Sequence, residues 1–399
     1  MNAYTDNLPS SIEKPDVSDN DAGTALRFYA ESQRALTLNE PSSTLIPPSQ
    51  IQPSYDITNP KSEQLQRTAN QRQGLLEAAR TGDDIQTEIL LNEGADINSR
   101  DADGRTALHL ASQNGNIDVA RVLLAPHHEI DIDARSYARG DHEERKMHGH
   151  ATALYLASDK GHEEIIDLLL IHHANVNLAN WSNRTPLMQA SKLGHTACVA
   201  RLLAAGADPK IREFNDYPPL HDAAAEGRLE TVRLLLDHGA EIDARLTKEF
   251  LTGYTALHLA TQDRRVDCMR ELVARGADVE ARTGKQETAM HLAAFYGETD
   301  ALRVLLDDGH ADIEAQEHGR ETPLHKAVHA RRAGNVRYLL HKGASPYARD
   351  MFGESVIDVA RKTRDEGMMD LLRLWLPKDE FASSSDSDWV TRKMNRQIL

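Results

Sequence analysis

Nineteen histidines and two cysteines are the residues of this 399-residue chain that most readily suggest chemistry. His127, His128, His142, His148, His150 and the pair His172-His173 are dense enough to raise metal ligation, which needs several ligands at a spacing that returns to one point. No such spacing repeats. Cys198 and Cys268 stand seventy residues apart, outside any C-x-x-C pair of a zinc or redox site. Five more histidines, His109, His221, His258, His291 and His325, recur inside one tetrapeptide, which marks them as parts of a repeated structure. The chain also lacks G-x-S-x-G, G-x-x-x-x-G-K-S/T and H-E-x-x-H, and has no G-x-G-x-x-G at a strand–helix junction. We therefore expect no enzyme, no cofactor and no metal site.

The formal charge of -16 opposes attraction to nucleic-acid phosphates and to anionic membranes. There is no run of eighteen apolar residues, and "MNAYTDNLPSSIEKPDVSDND" has neither a basic nor an apolar signal region. The expected setting is cytoplasmic or nuclear, with no nucleic-acid or membrane partner. There Arg139-Gly140-Asp141 and the acceptor triplets at Asn180 and Asn183 are coincidences, and the two thiols act as small buried hydrophobes.

The elements that position these residues follow from self-similarity. Thr106-Ala-Leu-His109, Thr152-Ala-Leu-Tyr155, Thr185-Pro-Leu-Met188, Pro218-Pro-Leu-His221, Thr255-Ala-Leu-His258, Thr288-Ala-Met-His291, Thr322-Pro-Leu-His325 and Ser355-Val-Ile-Asp358 are one tetrapeptide in eight versions. Their spacings of 46, 33, 33, 37, 33, 34 and 33 give a 33-residue unit with insertions of 13, 4 and 1. Gln73-Gly-Leu-Leu76 is a degenerate ninth copy, and the nine units account for residues 68–382. Each copy carries two short patterns of apolar residues at i, i+3, i+4, an intervening Gly in most copies, a closing leucine pair in most, and a G-A-D-x-N-like stop. Thr or Pro suits a helix start, and Gly suits the left-handed turns after each helix. Arg331 replaces the inter-helix Gly in one copy, so that turn is expected to be strained or locally looser.

With T-P-L-H, the central Gly and the G-A-D stop in register, the chain resembles the ankyrin repeat family over about four-fifths of its length. The resemblance implies an all-α repeat protein, an ankyrin-repeat solenoid of helix-turn-helix pairs with β-hairpin fingers, in which the tetrapeptide histidines hydrogen-bond within and between units. Units of this kind are marginal alone and stable when stacked. Two units apart, Cys198 and Cys268 are too distant for a disulfide. The flanks differ in composition: residues 1–67 hold seven of the fifteen prolines and read as a disordered leader with room for a short helix at 24–36, and 383–399 is an acidic-serine tract followed by a basic tail.

The resemblance also implies a concave binding face built from the fingers and the late positions of each first helix. Position by position these are Trp181, Phe214, Tyr217, Phe250 and Tyr254 in the fingers and Phe295 and Tyr296 at the first-helix end. Aromatics make up only 5% of the chain, so their concentration on one ribbon marks interface anchors. The expected partner is a protein or a peptide, with oligomeric state open. The first rival reading is an adaptor or targeting subunit whose flexible ends recruit an enzyme such as a ubiquitin ligase or a kinase, and the second, less favoured, is an enzyme with an undetected site.

Overall fold

The computed structural model describes residues 60–137, 149–297 and 299–375. The expected helix at 24–36, the tripeptide 139–141, His142, His148 and the serine tract at 383–389 lie outside the described residues. Among those described, eighteen α-helices form nine pairs: α1 (Pro60–Thr81) and α2 (Asp84–Asn92), α3 (Ala107–Asn114) and α4 (Ile117–Leu123), α5 (Ala153–Lys160) and α6 (Glu163–Ile171), α7 (Pro186–Leu193) and α8 (Thr196–Ala204), α9 (Pro219–Ala225) and α10 (Leu229–Asp237), α11 (Ala256–Gln262) and α12 (Val266–Ala274), α13 (Ala289–Tyr296) and α14 (Thr299–Arg303), α15 (Pro323–His329) and α16 (Ala333–His341), α17 (Val356–Lys362) and α18 (Glu366–Arg373). First helices stack on first helices and second on second. One apolar core runs unbroken from Leu75 to Leu372, as expected when each unit can cover its stripe only with the next.

One boundary departs from expectation. Helix α1 begins at Pro60, eight residues before the boundary placed at 68, because Pro is well suited to a first helical position and a run of good helix formers follows it. Most of that added stretch is exposed and owes its form to local propensity. The single inserted residue, in the unit that begins at Thr288, is absorbed as a π turn, Val304–Asp308, directly after α14.

The turn after each first helix is left-handed at Gly82, Gly115, Gly161, Gly194 and Gly227. Gly297 is the exception to the expected pattern, with φ -77. Here Asn335, at the place that Cys198 and Cys268 hold in their units, caps the helix instead, with its Nδ2 3.1 Å from the carbonyls of both Ala294 and Gly297. Arg331 is left-handed as anticipated, with φ 53, and Arg264 and Arg364 are so too, with φ 58 and 51.

Units are also joined by a ladder that the repeat pattern did not disclose. In six units the side chain ten positions after the unit begins donates to a carbonyl at the end of the preceding first helix: Asn116 to Arg80, His162 to Gln113, His195 to Asp159, Arg228 to Lys192, Arg265 to Ala225 and Arg332 to Phe295, at 2.9–3.3 Å. These carbonyls are orphans of helix termination, so each of these six units caps its neighbour. The crossing side chain sets the need for glycine: a Cβ on Gly194 would meet Arg228 Cδ at 2.6 Å.

The tetrapeptide histidines form a second set of ties. The backbone N–H of Thr106 donates to His109 Nδ1 at 3.2 Å, and His109 Nε2 donates across to the Ala151 carbonyl at 3.0 Å. His291 and His325 repeat both contacts, reaching the carbonyls of Glu321 and Glu354. Where Pro218 stands in place of Thr, there is neither an N–H nor a hydroxyl for His221 Nδ1, and that atom is buried without a partner. Burial lowers His109, His221, His258 and His291 to about 4.

The folded state therefore holds these rings neutral, and their contribution is complete above a pH of about 6.5 and lost as pH falls toward about 4, on the order of 3 kcal/mol for each ring. Urea unfolding midpoints measured across that window should fall steeply with acid. Replacing the exposed left-handed Arg264 by glycine should raise stability by about 1 kcal/mol, the steric cost of a side chain in that conformation, read from the same denaturation curves.

Candidate functional site

Fingers connect each second helix to the next tetrapeptide. Most are closed by one backbone bond across four residues, as in Asp101 to Arg105, Asn180 to Arg184, Glu213 to Tyr217 and Thr283 to Glu287. They are hairpins reduced to their closing bond, and no strand occurs among the described residues. Neighbouring tips are linked by single backbone bonds, Trp181 to Gly149 and Phe214 to Ser182 among them. A recurrent arginine six positions before the tetrapeptide locks the row. Arg100 Nη1 reaches both the Gly104 carbonyl and the Arg135 carbonyl of the next finger, and Arg282 does the same for Gln286 and Gln316. Five donors in a planar fork let one guanidinium satisfy two carbonyls.

The seven expected binding residues divide into two groups on this scaffold. Trp181, Phe214 and Phe250 lie on successive fingers and are 57%, 62% and 94% exposed. Trp181 rests edge-on against His150 at 5.0 Å. Phe250 is carried by the four-residue insertion, which forms a short 3-10 turn, Glu249–Leu251, over a base closed by Leu246 and Tyr254. Tyr137, Met351 and Phe352 extend the exposed row toward both ends. The base of the long insertion is closed by paired bonds between Ser136 and its partners His150 and Ala151.

Tyr217, Tyr254, Phe295 and Tyr296 are half-buried at the inner helices. Tyr254 lies 5.5 Å from the His258 ring, and Phe295 meets Tyr296 at 4.7 Å with planes 73° apart. The adjacent rings of "AAFYG" thus make one edge-to-face pair at the end of α13. Burial, aided by Asp222, Glu213 and Asp263, pushes the Tyr217 phenol up to about 12. Burial also raises Tyr254, with Glu287, Tyr296 and Tyr217 acting in the same direction. Both remain neutral donors at physiological pH.

Polar groups on this floor were not apparent from the repeat pattern. Arg184 pairs with Asp222 across two units, Gln189 donates to Asp159 at 2.6 Å, and buried Tyr155, standing where other units keep histidine, bonds to Asn180. The usable signal was the change of residue type four places into the unit, from leucine at Leu110 and Leu156 to Gln189 and Asp222. No group of three or more His, Cys, Asp or Glu among the described residues is placed to hold a metal ion. Cys198 and Cys268 are free and buried, and burial raises both thiols to about 11. A cleft of 590 Å³ lies away from the rings, between α16 and α18, lined by Arg331, Arg337, Met368 and Leu374 among others. No helix among the described residues is long and apolar enough to cross a membrane.

Stacked helix pairs with a locked row of fingers define a repeat protein that offers a surface rather than a cavity. A family model described as "Ankyrin repeats (3 copies)" matches residues 51–136, 139–213, 211–283 and 280–350, and the chain belongs to the ankyrin repeat family. The crystal structure of the human ASB11 ankyrin repeat domain superposes with a TM-score of 0.51 at 25% identity, covering 56% of this chain and 97% of that one. A 49-residue stretch is 47% identical to ankyrin repeat domain-containing protein 46 of Rattus norvegicus, covering 12% of this chain and 22% of that protein. Another of 47 residues is 53% identical to the ADP-ribosylation factor GTPase-activating protein AGD2 of Arabidopsis thaliana, covering 12% of this chain and 6% of that protein. The chain thus matches under a quarter of the length of these curated relatives. Ankyrin repeats are in general protein–protein interaction modules.

The two groups of rings should respond differently to truncation. Trp181→Ala and Phe214→Ala should each change stability by less than about 0.5 kcal/mol, as surface changes do. Tyr254→Ala and Phe295→Ala should each cost about 1–3 kcal/mol by removing half-buried packing. Chemical denaturation of the four single variants checks this.

Proposed function

We propose that this chain is a non-catalytic interaction scaffold that grips a protein or peptide partner on its finger and inner-helix face. The observation that carries the reading is the exposure of Trp181, Phe214 and Phe250 on consecutive fingers while arginine–carbonyl ties such as those of Arg212 to Asp216 and Arg245 hold the fingers in place. Exposing large rings on a held framework costs solubility, and bound partners gain because little ordering remains to be done on association. Trp and Tyr are the residues most often found at the energetic centres of interfaces. The negative charge and the two buried thiols support a cytoplasmic or nuclear setting. The adaptor alternative rests on the flanking segments, and no described residue favours it. The similarity to AGD2 covers too small a part of that protein to carry its activity here.

Affinity capture with the full-length chain, read by mass spectrometry, should retain a principal partner. Trp181→Ala with Phe214→Ala should weaken that partner at least tenfold, about 1.4 kcal/mol, with the melting temperature unchanged. Retention at full strength by the double variant would remove the fingers from the binding face.

A further inference from the structure

The floor beside the exposed rings carries two carboxylates in an unfavourable place. Glu226 and Asp263 are the C-terminal capping residues of α9 and α11, and Tyr296 is the last residue of α13. All three stand eight positions into consecutive units, so they form one row along the array. A helix C-terminus is the negative end of its dipole and favours cations. Lys160, at the end of α5, shows the expected choice. Two acids in succession at that end oppose helix stability.

Neither acid is ion-paired among the described residues. Elsewhere the chain pairs its inner-face carboxylates: Glu287 and Glu321 share Lys326 at 3.3 and 2.9 Å, and Asp222 holds Arg184. Among the described residues no Lys, Arg or His forms an ion pair with Glu226 or Asp263. The nearby Arg265 has its Nε committed to the Ala225 carbonyl at 2.9 Å. Partial desolvation raises the Asp263 carboxyl, Arg265 opposes the rise, and Glu226 adds to it. The row faces aromatic rings: Tyr217 and Tyr254 each sit one residue before the unit start, Asp263 acts electrostatically on Tyr217, and Tyr254 is in the field of both Tyr217 and Tyr296. Ring faces attract cations, and a planar guanidinium can stack on a ring while offering paired N–H groups to a carboxylate.

We propose that the floor bounded by Tyr217, Glu226, Tyr254, Asp263 and Tyr296 receives an arginine side chain of the bound partner peptide, the guanidinium pairing with the two carboxylates and stacking on the tyrosines. The proposal rests on the reading of this face as a peptide-binding surface and specifies its chemistry. A guanidinium there supplies the charge missing from both helix ends.

The test presents the full-length chain, immobilised, with random-sequence peptide libraries whose central residue is fixed as arginine, lysine or citrulline, the neutral near-isostere of arginine. The arginine library should be retained at least tenfold over citrulline and measurably over lysine, and added salt should shrink the difference. Glu226→Gln with Asp263→Asn should bring arginine and citrulline to parity. The same variant should melt at the wild-type temperature or above it, because both side chains are exposed and the unfavourable dipole contacts are removed. Equal retention of arginine and citrulline by the wild type, or a preference that survives in the variant, overturns the proposal, as does lysine retained as well as arginine. Peptides retained without charge preference, yet lost in Trp181→Ala with Phe214→Ala, would overturn it and leave the binding face standing. No retention of any library would remove both.

Discussion

A helix of five to nine residues cannot hold itself together. Its first four N–H groups and last four carbonyls lack intrahelical partners, which at this length is most of its polar backbone, and one apolar stripe lies open to water. Every helix after α1 among the described residues is of that kind. Stability is therefore a property of junctions. Each junction joins two apolar stripes into the continuous core, and most add a side chain from the following unit that caps the preceding helix.

The same logic explains how irregular units are tolerated. Where Gly297 does not take the left-handed turn, Asn335 caps α13 from the next unit with its own amide. Where one residue too many enters the unit that begins at Thr288, the surplus is wound into a π turn before Gly309, and His310 takes the left-handed position, φ 55. Loss of a partner is felt where no neighbour can supply one. His221 opposite Pro218 is the example, since proline offers neither amide hydrogen nor hydroxyl.

Recognition and stability are divided between two layers of the same face. The finger tips carry large rings with little packing duty, as the exposure of Phe250 shows. The inner-helix rings pack against tetrapeptide histidines and against each other, so they are at once part of the framework and part of the floor. Carboxylates follow the same division. Those drawn into Arg184 and Lys326 serve the framework, and those at the ends of α9 and α11 face outward against the dipole.

The sequence by itself determined the period and the nine helix pairs, because a repeated tetrapeptide reports a repeated local geometry, and its resemblance to ankyrin repeats implied the histidine ties. It also located the rings, since finger positions can be counted from each unit start. What it did not decide was their division: Trp181 and Tyr254 look alike in a string of letters, and only the stacked fold leaves one ring in water and sets the other beside His258. Arg264 and Arg364 likewise show no left-handed signature of their own, because the turn is imposed by the packed helices on either side. The ladder from Asn116 to Arg332 was illegible for a related reason. Asn, His and Arg differ in type but place an N–H at the same point in space, and only the neighbouring unit defines that point.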